Sequence, residues 1–463
     1  MRQFRTRWTC LLAVVAGLIS PGCSSLVHAP ELGDVVRVED VETVHPQPVR
    51  LAALEQVEAE GELPEGASAV PRPLNQRSAV QIALERNAEL KAARREVEAA
   101  LQRIPQVSSL PDPSLTIAAF VAEIQTAAGQ QELVTALSQR FPWFEKLVEE
   151  GNAEAARAAS LAARYVDTQL RIEQQARVAY LEVFFYDRSL EVLRSLERLI
   201  AQQLIPDVRE KVRQNEVGLE TLYEAEVELE DLRNRIVDFE EARRGAVARL
   251  LAVLNLPEDT EVVTAETLEA YELEELAELL PDARQNHPQV SAARYLVDLW
   301  QHKARVADLG YVPDVTLGTQ WSAISSSGIS PVANGRDAVA VTVGVNLPIQ
   351  TERIEAARLE ARAEAARAAH LVIDVQQRVV ANLSDAYARL RAARAQRERI
   401  EQEILPRLRE SIDLARVAYR VNRIEFEQYV QLWRELIDQE VRRYREMTDE
   451  HEAAADIRRW SGQ

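Results

Sequence analysis

The chain has 463 residues, with 55 Lys and Arg against 74 Asp and Glu and a formal net charge of −19. This acidity excludes the basic surface that nucleic-acid binding requires. Only 15 glycines, beside abundant Ala, Glu, Leu and Arg, point to long helices in place of compact α/β domains. The acidic residues are expected on solvated helix faces.

Residues 1–22 read as an export signal. Arg2, Arg5 and Arg7 form a basic start, and residues 11–19 form an apolar run too short to span a bilayer. Ser20-Pro21-Gly22-Cys23, followed by Ser24 and Ser25, resembles a bacterial lipobox. It implies Cys23 as the acylated, palmitate-bearing first residue of the mature chain, sorted to the outer membrane. Removing the three arginines takes the charge from −19 to −22. Cys10 goes with the signal, which leaves Cys23 alone and no internal disulfide. Residues 23–75, broken by Pro30, Pro46, Pro48, Pro64, Pro71 and Pro73, read as a lipid-anchored tether with little secondary structure.

A helical period runs from Arg77 to Arg103, with Val80, Ala83, Leu84, Leu90, Val97 and Leu101 on one side, and Ile104-Pro105 is expected to end it. Pro111-Asp112-Pro113 is a breaker. Two strand-like segments follow. Leu115, Ile117, Ala119 and Val121 alternate with Ser114, Thr116, Ala118 and Phe120. After a polar turn expected around Gln130, Leu133, Thr135, Leu137 and Phe141 alternate with small or polar neighbours, up to Pro142-Trp143. A long helix is predicted over 145–213, interrupted at Pro206. Gly218 marks a reversal, and a second helix runs over 220–254.

The second half repeats this order. A helix is predicted over 268–309, with Pro281 and Pro288 as interruptions. Val315, Leu317, Thr319 and Trp321 then alternate, and a polar turn spans 325–337. Val339, Val341, Val343, Val345 and Leu347 alternate against Ala340, Thr342, Gly344 and Asn346. A very long helix over 352–421 contains Pro406, Asn422 marks a turn, and a last helix runs to Arg459. Pro206 pairs with Pro406 and Gly218 with Asn422, all near an offset of 200 residues. The repeats are placed at 76–257 and 258–463. The expected fold is mainly α with a small membrane β part, built from a duplicated helix, β-hairpin and long helical hairpin.

Helices of about 60 residues span about 90 Å and must bury their apolar stripes in a coiled coil or bundle. Strands of this length and alternation fit one face toward lipid and the other toward water. No later apolar run is long enough for a membrane helix, so a membrane-crossing part must be a closed β-barrel. Four strands cannot close one, so chains must share it; two copies would give eight strands and three would give twelve. Gly218 and Asn422 are expected to take the left-handed backbone that a tight helix-to-helix turn needs.

The duplicated order, with residues 113–121 and 136–143, Val217-Gly218-Leu219, residues 343–349 and residues 418–422, resembles the TolC-like outer-membrane efflux family over about 76–457. The resemblance implies a homotrimer with one twelve-stranded barrel and a long periplasmic helical tunnel. It implies tips at Val217, Gly218, Leu219, Val421 and Asn422 that dock a periplasmic adaptor (membrane fusion) protein of an inner-membrane pump, with outer-membrane lipid around the barrel. Leu115, Ile117, Leu137, Phe141, Val315, Leu317, Val341, Val343 and Val345 would then be membrane-strand residues. Family members close the tunnel with polar side chains near the tips, and some carry acids six and nine positions past the second-tip glycine. Gln428 and Gln431 stand there, so an acidic ring is not expected at that place; Glu224 is a further candidate for the constriction. Asp112-Pro113 and Phe141-Pro142-Trp143 look most like the heavy-metal efflux branch.

No Gly-rich phosphate loop, His-Glu-x-x-His or Cys pair occurs, and His28, His45, His287, His302, His370 and His451 lack metal-ligand spacing from one another. No cofactor, metal or catalytic set is expected. The leading reading is a passive exit duct. The alternatives are a periplasmic coiled-coil lipoprotein without a pore, and the exit duct of type I protein secretion.

Overall fold

The computed structural model describes residues 71–462 apart from 272, 273, 327, 330 and 331. Cys23, the export signal and most of the tether lie outside the described residues.

Two short helices open the chain, α1 (Gln76–Arg86) and α2 (Ala88–Ser108). The single helix expected over 77–103 is therefore two. The cause is Asn87, whose side chain turns back to accept hydrogen bonds from the Glu89 and Leu90 amides and so caps a new helix. Pro105 does not end α2 but lies within it.

β1 (Ser114–Thr126) and β2 (Gly129–Phe141) form a hairpin whose turn is Ala127-Ala128, ahead of the expected Gln130. Gly129 has φ of 135°, and a Cβ there would lie 1.7 Å from the Ser325 carbonyl oxygen, so only glycine fits. The first long limb is α3 (Phe144–Leu199), a π turn (Ile200–Leu204) and α4 (Ile205–Arg213), with α5 (Leu219–Leu254) as the return.

The second half contains α6 (Leu276–Asn286), α7 (Pro288–Asp308), β3 (Val315–Ile324) and β4 (Ala338–Val345). Its long limb is α8 (Thr351–Arg399), a π turn (Ile400–Ile404) and α9 (Leu405–Arg420), with α10 (Phe426–Ser461) as the return. Residues 268–275 are not helical where described. The preceding stretch instead pairs with the chain start, Leu74 bridging Thr264 and Tyr180 Oη donating to the Leu74 carbonyl at 3.1 Å. His287 repeats the role of Asn87: its Nδ1 accepts from the Gln289 amide at 3.2 Å to cap α7. Burial holds this imidazole below its ordinary pKa.

Pro206 and Pro406 do not stop their limbs. Each sits in the first turn after a π turn, whose extra residue absorbs the missing N–H. The prolines are not equivalent in position. The limbs run 144–213 and 351–420, yet the helix between π turn and tip has 9 residues in α4 and 16 in α9. The second π turn thus stands about two helical turns further from its tip.

The core runs along the helices as stripes. Buried Leu222, Ala225, Leu229, Leu232 and Ile236 on α5 step by three and four, the period of a left-handed coiled coil. Leu405, Ile412, Ala415 and Tyr419 on α9 continue the same pattern. α3 packs against α2, α5, α7 and α10, while α8 packs against α7 and α10. The helices therefore lie in one layer in the order α2 and α5, α3, α7 and α10, then α8 and α9. No described helix is long and apolar enough to cross a membrane.

Candidate functional site

The four strands form one antiparallel meander in the order β1-β2-β3-β4. Its register decides which side chains share a face. Leu115 is opposite Leu137, Leu137 opposite Thr319, and Thr319 opposite Val341. Phe141 is opposite Val315, and Val315 opposite Val345; Leu317 is opposite Val343. All nine sequence-predicted strand residues, Ile117 included, therefore lie on one face, which is apolar apart from Thr135, Gln139 and Thr319. The opposite face carries Ser114, Thr116, Ala136, Ser138, Thr316, Gly318, Gln320, Ala340, Thr342 and Gly344.

The apolar face is uncovered in a single chain: Val341 is 79% exposed and Val343 68%. β1 and β4 each have one hydrogen-bonded neighbour, so both sheet edges are open. β1 and β2, at 13 residues each, are longer than the expected nine or ten, because a bulge between Ala119 and Ile124 carries the hairpin onward. Leu347 falls beyond the end of β4. Phe141, Trp143, Phe144 and Tyr311 flank the helical end of the sheet in sequence, all exposed.

Asp314, next to Pro313, locks sheet to helices at that end, an arrangement the residue pattern did not reveal. Its buried carboxylate accepts from Lys146 Nζ at 2.8 Å, from the Arg140 guanidinium and from the Trp143 amide at 3.2 Å. Burial alone would raise its pKa, but these donors outweigh burial and hold it below the carboxylate range. Its stabilisation is thus present above the unfolded-state value near 3.8 and is lost as pH falls through the lower folded value. Asp314→Ala is expected to cost about 2–4 kcal/mol by stranding Lys146. Thermal unfolding of the detergent-extracted protein checks this, and an unchanged midpoint would refute the lock.

At the tips, the left-handed residues are Asn215 (φ 53°) and Asn422 (φ 56°). Gly218 is extended at φ −77°, ψ 166°, the residue before α5. The expectation of a left-handed Gly218 is corrected, and Asn215 is the counterpart of Asn422. Each asparagine follows its helix in a Schellman turn, with Glu216 N donating to Lys211 O at 3.0 Å and Arg423 N to Ala418 O at 2.9 Å. Leu219, Val421 and Asn422 are exposed; Val217 and Gly218 are half-buried. Buried Lys211 joins the two tips, lying 4.6 Å from the Tyr419 ring centroid, donating to Asn422 Oδ1 and pairing with Glu216 at 3.3 Å.

Glu224, Gln428 and Gln431 are all exposed. Counted from Asn215 and Asn422, Glu224 and Gln431 hold the same position in the two hairpins, so the glutamate and the glutamine lie at one level. Leu219 and Val421, expected at the tips, begin two apolar rows that lie off the coiled-coil stripe. Leu219, Tyr223 and Val227 are exposed on α5, and Leu414 and Val417 on α9, with Val421 just past its end. They occupy the two outer edges of the helical layer.

Residues 279–421 match the family described as outer membrane efflux protein. The chain is 32% identical over 178 residues to Protein CyaE of Bordetella pertussis, a match that covers 38% of this chain and only 38% of that relative's length. Its fold resembles CusC, a protein that forms a transmembrane channel, with a TM-score of 0.71 at 16% identity over 92% of this chain and 98% of that one. It also resembles the outer membrane protein VceC from Vibrio cholerae, with a TM-score of 0.70 at 16% identity over 84% of this chain and 96% of that one.

Proposed function

We propose that this chain, which resembles the outer membrane efflux proteins in its 279–421 segment and in its fold, is the outer-membrane exit duct of a tripartite efflux system. The observation that carries this reading is the two-faced sheet with both edges open. A sheet with an apolar outer face and a polar inner face is stable in lipid only when every edge is paired. β1 of one copy must then pair with β4 of the next, and repetition of that head-to-tail contact closes a ring. The exposed rows on α5 and α9 support the same closure, since they stand on opposite edges of the helical layer and would be covered in step with the strands. Three chains of four strands each give twelve strands above a helical tunnel, in keeping with the efflux fold. The exposed aromatic residues at the helical end of the sheet suit the membrane–water interface.

In this reading the duct is passive. Small molecules or metal ions pass from the periplasm to the exterior, and the tips, with exposed Leu219 and Val421, dock a periplasmic adaptor that connects to the inner-membrane pump. Glu224 and Gln431 of the three copies form the polar constriction, and Cys23 carries the lipid anchor.

The test pairs the mass of the detergent-extracted protein, by light scattering, with conductance in a planar bilayer. A trimer that conducts is expected. A monomer without conductance would overturn the duct and favour a periplasmic helical lipoprotein.

A further inference from the structure

A cavity of about 90 Å³ opens where four segments meet, far along the chain from both the sheet and the tips. Its polar lining is Gln76 and Arg77 at the start of α1, Arg177 in α3, Glu269 and Tyr271 in the connecting stretch, and His451 and Arg458 in α10. Three guanidinium side chains thus converge in a chain of net charge −19.

Among the described residues their negative partners are few. Arg177 holds Glu173 at 2.5 Å, but its Nε is buried with no acceptor. Arg77 meets Glu269 at 3.8 Å, with both side chains largely exposed. Arg458 makes no ion pair and no side-chain hydrogen bond among the described residues, although it is half-buried. Burial, and then the like charge of Arg177 and Arg77, hold the Arg458 guanidinium below its ordinary pKa, with Glu173 and Glu269 opposing. A partly buried cation facing two others is disfavoured unless an anion answers it. Guanidinium forks are suited to carboxylate and phosphate oxygens.

We propose that this cavity binds a small oxyanion of the phosphate or carboxylate class, gripped by Arg458 and Arg177 with Arg77 at its mouth. The volume holds about three waters, at about 30 Å³ each, so one such group fits with part of its hydration. Bound there, the oxyanion ties α1, the 269–271 stretch, α3 and α10 together. It thereby stiffens the part of the helical layer where both halves of the chain meet.

The test is the thermal midpoint of the full-length chain in detergent, titrated with inorganic phosphate or with acetate at ionic strength held constant by chloride. A saturable rise of about 2–4 °C with at least one of the two is expected. Phosphate alone assigns the site to phosphate groups, and acetate alone assigns it to carboxylates. Arg458→Gln is expected to raise the midpoint in chloride, because it relieves the repulsion, and to weaken the response at least tenfold. Arg77→Gln, at an exposed position, is expected to weaken it severalfold without altering the chloride midpoint. No rise above chloride with either anion, or an undiminished rise in Arg458→Gln, overturns the site.

Discussion

Val343→Arg is expected to abolish insertion of the folded protein into bilayers, whereas Thr342→Arg, one residue away, is expected to leave it intact. Val343 lies on the apolar face of β4 beside Leu317, and Thr342 lies on the opposite face beside Gly318. An arginine on the lipid face of a membrane barrel costs about 2–4 kcal/mol near the midplane. A ring of three copies would bear that cost three times, which exceeds the stability margin of many domains. The same arginine on the inner face meets water. The readout is the fraction of heat-resistant oligomer recovered from lipid vesicles. Equal loss in both variants would show that the sheet is packed on both faces, and equal tolerance would show that neither face meets lipid.

The stability of the helical region should be nearly independent of pH between about 4.5 and 6.5 in its contributions from two neighbouring residues of α10, and steeply dependent once either is replaced. Burial lowers His451 to about 4, with Arg397 and Arg458 adding to the effect and Glu450 opposing it. Burial raises Glu452 to about 7, with Asp449, Glu182 and Asp456 adding and Arg445 opposing. The unfolded values are 6.5 and 4.5.

Between pH 4.5 and 6.5 the unfolded chain carries a proton on His451 that the folded chain lacks, so this group makes stability rise with pH. Over the same interval the folded chain carries a proton on Glu452 that the unfolded chain lacks, so this group makes stability fall with pH. Each slope is about 1.4 kcal/mol per pH unit, and they cancel. Glu452→Gln should uncover the rise and His451→Phe the fall. Unfolding at pH 4.5, 5.5 and 6.5 measures the difference from the parent chain, in which all other groups titrate alike. Parallel curves for parent and Glu452→Gln would refute the compensation. The buried Glu450 acts below this window. Burial would raise it, but hydrogen bonds from Arg397, Tyr271 and Arg394 hold it low, so its stabilisation is lost only as pH falls below about 4.5.

Much of the architecture was legible in the residues. Strict alternation in 339–345 and the leucine and valine spacing in the limbs are local periodicities, and a strand or coiled-coil helix imposes them on the chain that forms it. The open sheet edges, too, follow from counting four strands. What misled were the punctuating residues. Gly218 suggested a left-handed turn, yet the helix ended at Arg213, and Asn215 met the same need. Pro206 and Pro406 suggested matching breaks, yet π turns absorbed both, and equal limb lengths set the two hairpins in a register the prolines do not mark.

The candidate site divides in the same way. The alternating faces of the strands and the approximate places of the helix reversals could be read from the chain, because side-chain alternation and helix reversal are properties of consecutive residues. Asp314 with Arg140 and Lys146, the Lys211 bridge between the tips, and the convergence of Arg77, Arg177 and Arg458 could not. Each joins residues far apart in sequence, and a charge carries no signature of its partner until packing brings the two within a few ångströms and removes the water between them. The sequence by itself determined the elements, their order and the two faces of the sheet. Only the tertiary structure decided which charges are answered and which await an ion, because that depends on distances and desolvation that no local pattern encodes.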